Sequence, residues 1–72
     1  MHDLGASFKK IRIEKMLTQK QVATGIGVGE RQYQYYEYGE KVPSALLLIS
    51  LADYFDVSID YLVGRSDDPE RR

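Results

Sequence analysis

Cysteine is absent from the 72 residues, so neither a disulfide nor a thiolate metal site can staple the chain, which fits a reducing compartment. Long hydrophobic runs are missing too. The longest, ALLLISLA at 45–52, falls far short of the roughly 20 residues needed to cross a bilayer. The N-terminus lacks the basic-then-apolar pattern of a signal segment, so no membrane association is expected and a cytoplasmic location is. Histidine occurs once, as His2, with no second ligand in sight, and no metal is expected. The chain also lacks a nucleophile–base pair, a ligand cluster and a glycine-rich phosphate loop. Neither an enzyme nor a cofactor is expected from it.

What is present describes a small folded domain. Hydrophobic residues make up 43% and charged residues 29% of the chain, against the disordered class. A single domain is the most this length allows, near the lower limit at which a core suffices alone. Net charge is −1, unpromising for nucleic acid as a sum, but the distribution matters more. Up to residue 41, seven cations stand against five acids; from residue 42 onward, three stand against six. The front is mildly basic and the back acidic.

Helix signals recur along the chain and strand signals do not. Asp3 is placed to cap a first helix with Leu4, Phe8 and Ile11 along one face. Thr18 and Gln21 have the spacing of a capping box, opening a short second helix that buries Val22 and Ala23 and stops at Gly27. Ser44 follows Pro43 and caps a fourth helix, so broadly apolar that it reads as the central core element. Ser58 caps a last short helix, IDYLV, stopped by Gly64. The expectation is an all-α, five-helix domain over residues 1–64 and a polar, frayed tail over 65–72.

The third element is the unusual one: GVGERQYQYYEYG at 27–39. Strict alternation fails, because Tyr35 and Tyr36 are adjacent, and Gly39 closes the run as a helix C-cap does. At roughly 100° per residue, Tyr33, Tyr36 and Glu37 share one face. Arg31, Tyr35 and Tyr38 share the opposite face, with Gln32 and Gln34 on its flanks. The tyrosines divide into an inward pair and an outward pair.

In this order and spacing, LTQKQVATGIGVGERQYQYYEYGEKVPS followed by DVSIDYLVG resembles the Cro/repressor (XRE-like) type of helix-turn-helix domain. The resemblance runs from about Leu4 to Gly64. Its parts are the LTQ opening, the alanine in helix two, the turn glycine, the aromatic-Glu-x-Gly ending of helix three, the following proline, and VSIDYLVG. Each is weak singly and specific in combination. It implies a repressor-like five-helix fold and a sequence-specific regulator of double-stranded DNA, a repressor by the commonest case. Such a domain acts as a homodimer on a palindromic operator with half-sites about 34 Å apart.

The resemblance also implies roles for residues. Gln19, with Lys20 beside it, maps to the phosphate-binding start of helix two. Glu30, Arg31, Gln32 and Tyr35 map to the base-reading start of helix three, with Gly29 at the cap. Tyr38 and Lys41 map to backbone-contacting positions. An Arg12–Glu37 ion pair is implied, and the helix wheel independently turns Glu37 inward. A dimer formed through the fifth helix would involve Tyr61, Leu62 and Val63.

Competing readings stand beside these. Glu30 suits a helix N-terminus electrostatically by roughly 0.3–1 kcal/mol without any DNA, or it accepts from cytosine N4. The Tyr35–Tyr38 face fits DNA or a protein partner. The sequence departs from the family at four places: Tyr33 for a small aliphatic, Gly29 for a Ser or Thr cap, Met16 for a left-handed Gly or Asn, and Ile13 at a normally polar position. Strain is expected at Met16 and exposure at Ile13.

Overall fold

The computed structural model describes residues 3–70 and is helical throughout its regular structure. Five helices follow one another: α1 (Leu4–Glu14), α2 (Gln19–Ile26), α3 (Glu30–Tyr38), α4 (Ala45–Phe55) and α5 (Ile59–Leu62). Each starts where a side chain or a glycine cap licenses it. Asp3, Thr18, Ser44 and Ser58 accept from backbone N–H groups of their own first turns, satisfying donors that a helix otherwise leaves orphaned. At α2 the box is reciprocal, with Thr18 N–H donating to Gln21 Oε1 at 2.8 Å. Gly29 caps α3 without a side-chain bond. Left-handed residues end three of the helices, Gly27 after α2, Gly39 after α3 and Asp56 after α4.

The helices wrap one core, in which α1 and α2 both lie against α3, α4 lies against α2 and α5, and α5 returns to α1. Phe8, Ile11, Val22, Ala23, Tyr33, Leu51, Ala52, Phe55, Val57 and Leu62 fill it. Tyr33 is the largest of the fully buried side chains. Burying one aromatic ring of this size removes roughly 150–250 Å² from water, so Tyr33 fastens α3 to the core more strongly than a small aliphatic would.

Two expectations need correction. α4 is not a wholly central helix: only Leu51, Ala52 and Phe55 are buried in it, while Leu46 is 78% and Ile49 44% exposed. Eleven residues present their full circumference, and a domain this small covers only one side of it. Leu62 is 0% exposed and belongs to the core, so it is not a free dimer contact. Tyr61 and Val63 are half-buried, with Lys10 Nζ 5.7 Å from the Tyr61 ring centre. Beyond Gly64, Ser58 N–H donates to the Pro69 carbonyl at 3.0 Å, bringing residues 65–70 back across the start of α5. His2 lies outside the described residues. No helix among them is long and apolar enough to cross a membrane.

Met16 carries the strain anticipated for it, with φ of +58° on a side chain that is 91% exposed. Ile13 is 56% exposed.

Candidate nucleic-acid interface

The α2–turn–α3 unit is held at its base by one buried carboxylate. Glu37, in the last turn of α3, has a side chain only 1% exposed. Arg12 Nε donates to its Oε2 at 2.6 Å and Arg12 Nη2 to its Oε1 at 3.2 Å, a two-pronged geometry that suits a planar guanidinium. Arg12 Nη1 also donates to the Leu17 carbonyl at 2.9 Å. One side chain therefore ties α1, the α1–α2 turn and α3 together.

Charge states follow from this arrangement. Burial alone would push the Glu37 carboxyl up, but its hydrogen bonds from Arg12 above all, and from the Gln19 amide, hold its pKa below the ordinary value. The hydrogen bond to Glu37 raises Arg12 further against a smaller desolvation cost. Burial, reinforced by Glu37, drives the Tyr33 hydroxyl far up. That hydroxyl has no partner with hydrogen-bond geometry among the described residues, a cost of about 1–3 kcal/mol that the ring's burial offsets.

A second set of contacts runs outward. Gln19, the first residue of α2, donates through Nε2 to Glu37 Oε1 at 3.2 Å, and its Oε1 accepts from Gln34 Nε2 at 3.1 Å. Gln32 Nε2 donates to the Tyr36 hydroxyl at 2.7 Å, securing the nearly buried Tyr36 to the first turn of its own helix. Lys41 Nζ sits 4.9 Å from the centre of the Tyr35 ring, and such a cation–π contact at an exposed site contributes about 0.5–1 kcal/mol.

The surface left over is the outer face of α3. Glu30, Arg31 and Gln32 are exposed in its first turn, Tyr35 is half-buried under Lys41, and Tyr38 is 64% exposed at its end. Lys20 stands exposed in the first turn of α2. No hydrogen bond or ion pair among the described residues engages the side chains of Lys20, Glu30 or Arg31. Space is open around Gly29, where a Cβ would meet nothing within 4 Å. No group of acidic or histidine side chains among the described residues could hold a metal ion. Gln34, which the helix wheel leaves on a flank with Gln32, joins this polar set without having been among the expected site residues. Its role depends on which amide of α2 comes opposite, a tertiary fact that no local pattern carries.

Comparisons with known proteins agree with this geometry. Residues 8–62 match the family described as Helix-turn-helix. The chain is 39% identical over 62 residues to the uncharacterized HTH-type transcriptional regulator YobD of Bacillus subtilis (strain 168), covering 86% of this chain and 55% of that protein. It is 37% identical over 62 residues to the cryptic phage CTXphi transcriptional repressor RstR of Vibrio cholerae, covering 86% and 56%. The chain thus spans about half the length of the curated relatives it matches. A transcriptional regulator from Listeria innocua superposes with a TM-score of 0.83 at 35% identity, covering 94% of this chain and 64% of that one. The P22 c2 repressor, solved with a synthetic operator, superposes with a TM-score of 0.80 at 22% identity, covering 88% and 96%. That last likeness is one of fold.

Proposed function

The chain belongs to the XRE-type helix-turn-helix family, and from that premise we propose that it is a DNA-binding transcriptional regulator, acting as a repressor. In this reading α3 lies in the major groove and α2 crosses the phosphate backbone. Arg31 is the principal base reader, because its planar fork matches guanine O6 and N7, a pairing that contributes roughly 1–3 kcal/mol of discrimination. Glu30, Gln32 and Tyr35 border the same bases. Gln19, Lys20, Tyr38 and Lys41 meet phosphates, and the bare Gly29 cap lets the backbone approach.

The observation that carries the reading is the division of α3. Tyr33, Tyr36 and Glu37 are locked beneath it, while Glu30, Arg31 and Tyr38 stand free on the outside. A helix fixed from below and left with polar and aromatic groups above is built to be inserted into something. A single copy of so small a domain makes few contacts, so two copies on a palindrome supply the affinity.

A second reading is favoured by the 64% exposure of Tyr38 and the net charge of −1, in which the tyrosine face binds a protein. Selection from a random duplex library at low and moderate salt, with Arg31→Ala in parallel, decides between them. Enrichment of a paired half-site that relaxes at one position in Arg31→Ala is the expected result. No enrichment at low salt would sink the DNA reading and turn attention to a protein partner.

A further inference from the structure

Three side chains from two helices form a one-way file of hydrogen bonds, and its direction is imposed from the inside. Glu37 is buried and ionised, and a carboxylate can only accept. The Gln19 amide must therefore turn Nε2 inward, at 3.2 Å from Glu37 Oε1. That leaves Oε1 of Gln19 facing Gln34, which must offer its own Nε2, at 3.1 Å. A glutamine amide is easily reversed where its surroundings are indifferent. Here reversal would set oxygen against oxygen at Glu37.

The polarity has an outward consequence. An amide nitrogen bears two hydrogens, so Gln19 keeps one N–H not committed to Glu37. Gln19 opens α2 beside the exposed Lys20, on the end of a helix whose dipole favours anions. A long side chain at that place is normally free to rotate and must be ordered when a ligand arrives. This one is gripped at both ends beforehand.

We propose that Gln34 is a positioning residue, which by donating to Gln19 Oε1 holds the Gln19 amide with its uncommitted N–H toward a DNA phosphate; this rests on the DNA-binding reading above. Gln34 itself touches neither phosphate nor base. Phosphate contacts carry no sequence information directly, so the relay sets how tightly duplex is held and leaves the choice of sequence to Arg31 and its neighbours.

The test uses Gln34→Leu, which retains the side chain as far as its δ carbon and removes the donor at a half-exposed position. In the free protein, the Gln19 side-chain amide protons are followed by ¹⁵N–¹H NMR. They should be dispersed and ordered in the wild-type chain, and should collapse to mobile, coil-like positions in Gln34→Leu. Gln34→Glu, which only accepts, should give the same loss, while thermal melts confirm that both variants fold. On duplex DNA, Gln34→Leu should weaken binding about 3- to 10-fold, the scale of one hydrogen bond, and equally for selected and scrambled sequences. In a Gln19→Ala background the same change should do nothing further. An ordered Gln19 amide in Gln34→Leu overturns the proposal, as does an undiminished loss in the Gln19→Ala background. A changed sequence preference overturns it too, by placing Gln34 on a base. If the wild-type chain binds no duplex, the phosphate contact falls with the DNA reading, whereas the NMR arm separately decides whether Gln34 orients Gln19.

Discussion

Gly5 of α1 abuts the last turn of α3 so closely that a methyl group on it would strike the carbonyl oxygens of Glu37 and, at 2.6 Å, of Tyr36. Both obstacles are backbone, so no side chain can swing aside. The two helices approach here as only glycine permits, and the contact sets the height at which α3 stands above the core.

Gly5→Ala is therefore expected to destabilise the fold by about 1–3 kcal/mol, the usual cost of overpacking. For a domain of this length that is a fall of roughly 10 °C in Tm, read by circular dichroism. Gly29→Ser is the contrasting change: its surroundings are open, its backbone already has cap geometry, and a gain of a few tenths of a kcal/mol is expected. Equal melting of the two variants would contradict both assignments.

Met16 holds φ at +58° with its side chain in water, so its conformation is strained and its side chain contributes little in return. Met16→Gly removes the strain, worth about 1–2 kcal/mol, against about 0.4–1 kcal/mol of added freedom in the unfolded chain. A net stabilisation of roughly 0.5–1 kcal/mol should appear in urea unfolding. A loss of stability would show that the turn is not strained at this residue.

Acid should unfold the domain partly through Glu37. Its folded-state pKa lies below the ordinary value of 4.5, so above that value both folded and unfolded states are ionised and the pair's stabilisation is complete. As pH falls below it, the unfolded chain takes up the proton first, and stability is lost progressively toward the folded pKa. Glu37→Gln should flatten that part of the Tm-against-pH curve. It should also cost about 3 kcal/mol at neutral pH, because Arg12 is left without its charged partner. Parallel curves for the two proteins below pH 4.5 would rule the assignment out.

If Lys20 and Lys41 meet phosphates, Lys20→Ala and Lys41→Ala should each lower the slope of log affinity against log salt by about one, with the selected sequence unchanged. Lys41→Ala should have a second effect, since it uncovers the Tyr35 ring. Altered sequence preference in Lys20→Ala would move that residue from backbone to base.

Local rules made much of the fold legible. Asp3, Thr18, Ser44 and Ser58 announced helix starts because capping is chemistry within one turn, and Gly27 and Gly39 announced stops because a left-handed residue without a Cβ is cheap. The inward turn of Tyr33, Tyr36 and Glu37 followed from 100° per residue alone. Burial decided by distant partners was less visible. Nothing in ALLLISLA tells Leu46 from Leu51, because which face of α4 is covered depends on where α2 and α5 lie. The burial of Leu62 was hidden for the same reason. The polar grip of Gln34 on Gln19 joins residues 15 apart, and no periodicity links them.

The Arg12 side chain, finally, makes the placement of α3 a property of the whole chain. It starts in α1, braces the Leu17 carbonyl and ends beneath α3, while α3's own anchor, Tyr33, belongs to a core to which α1, α2, α4 and α5 all contribute. A segment cut to α2 and α3 would lack both the brace and most of the core, and could not hold its shape in isolation. Unfolding should accordingly be all-or-none, so that, on the DNA-binding reading proposed above, the loss of duplex binding on heating tracks the loss of helix at the same temperature.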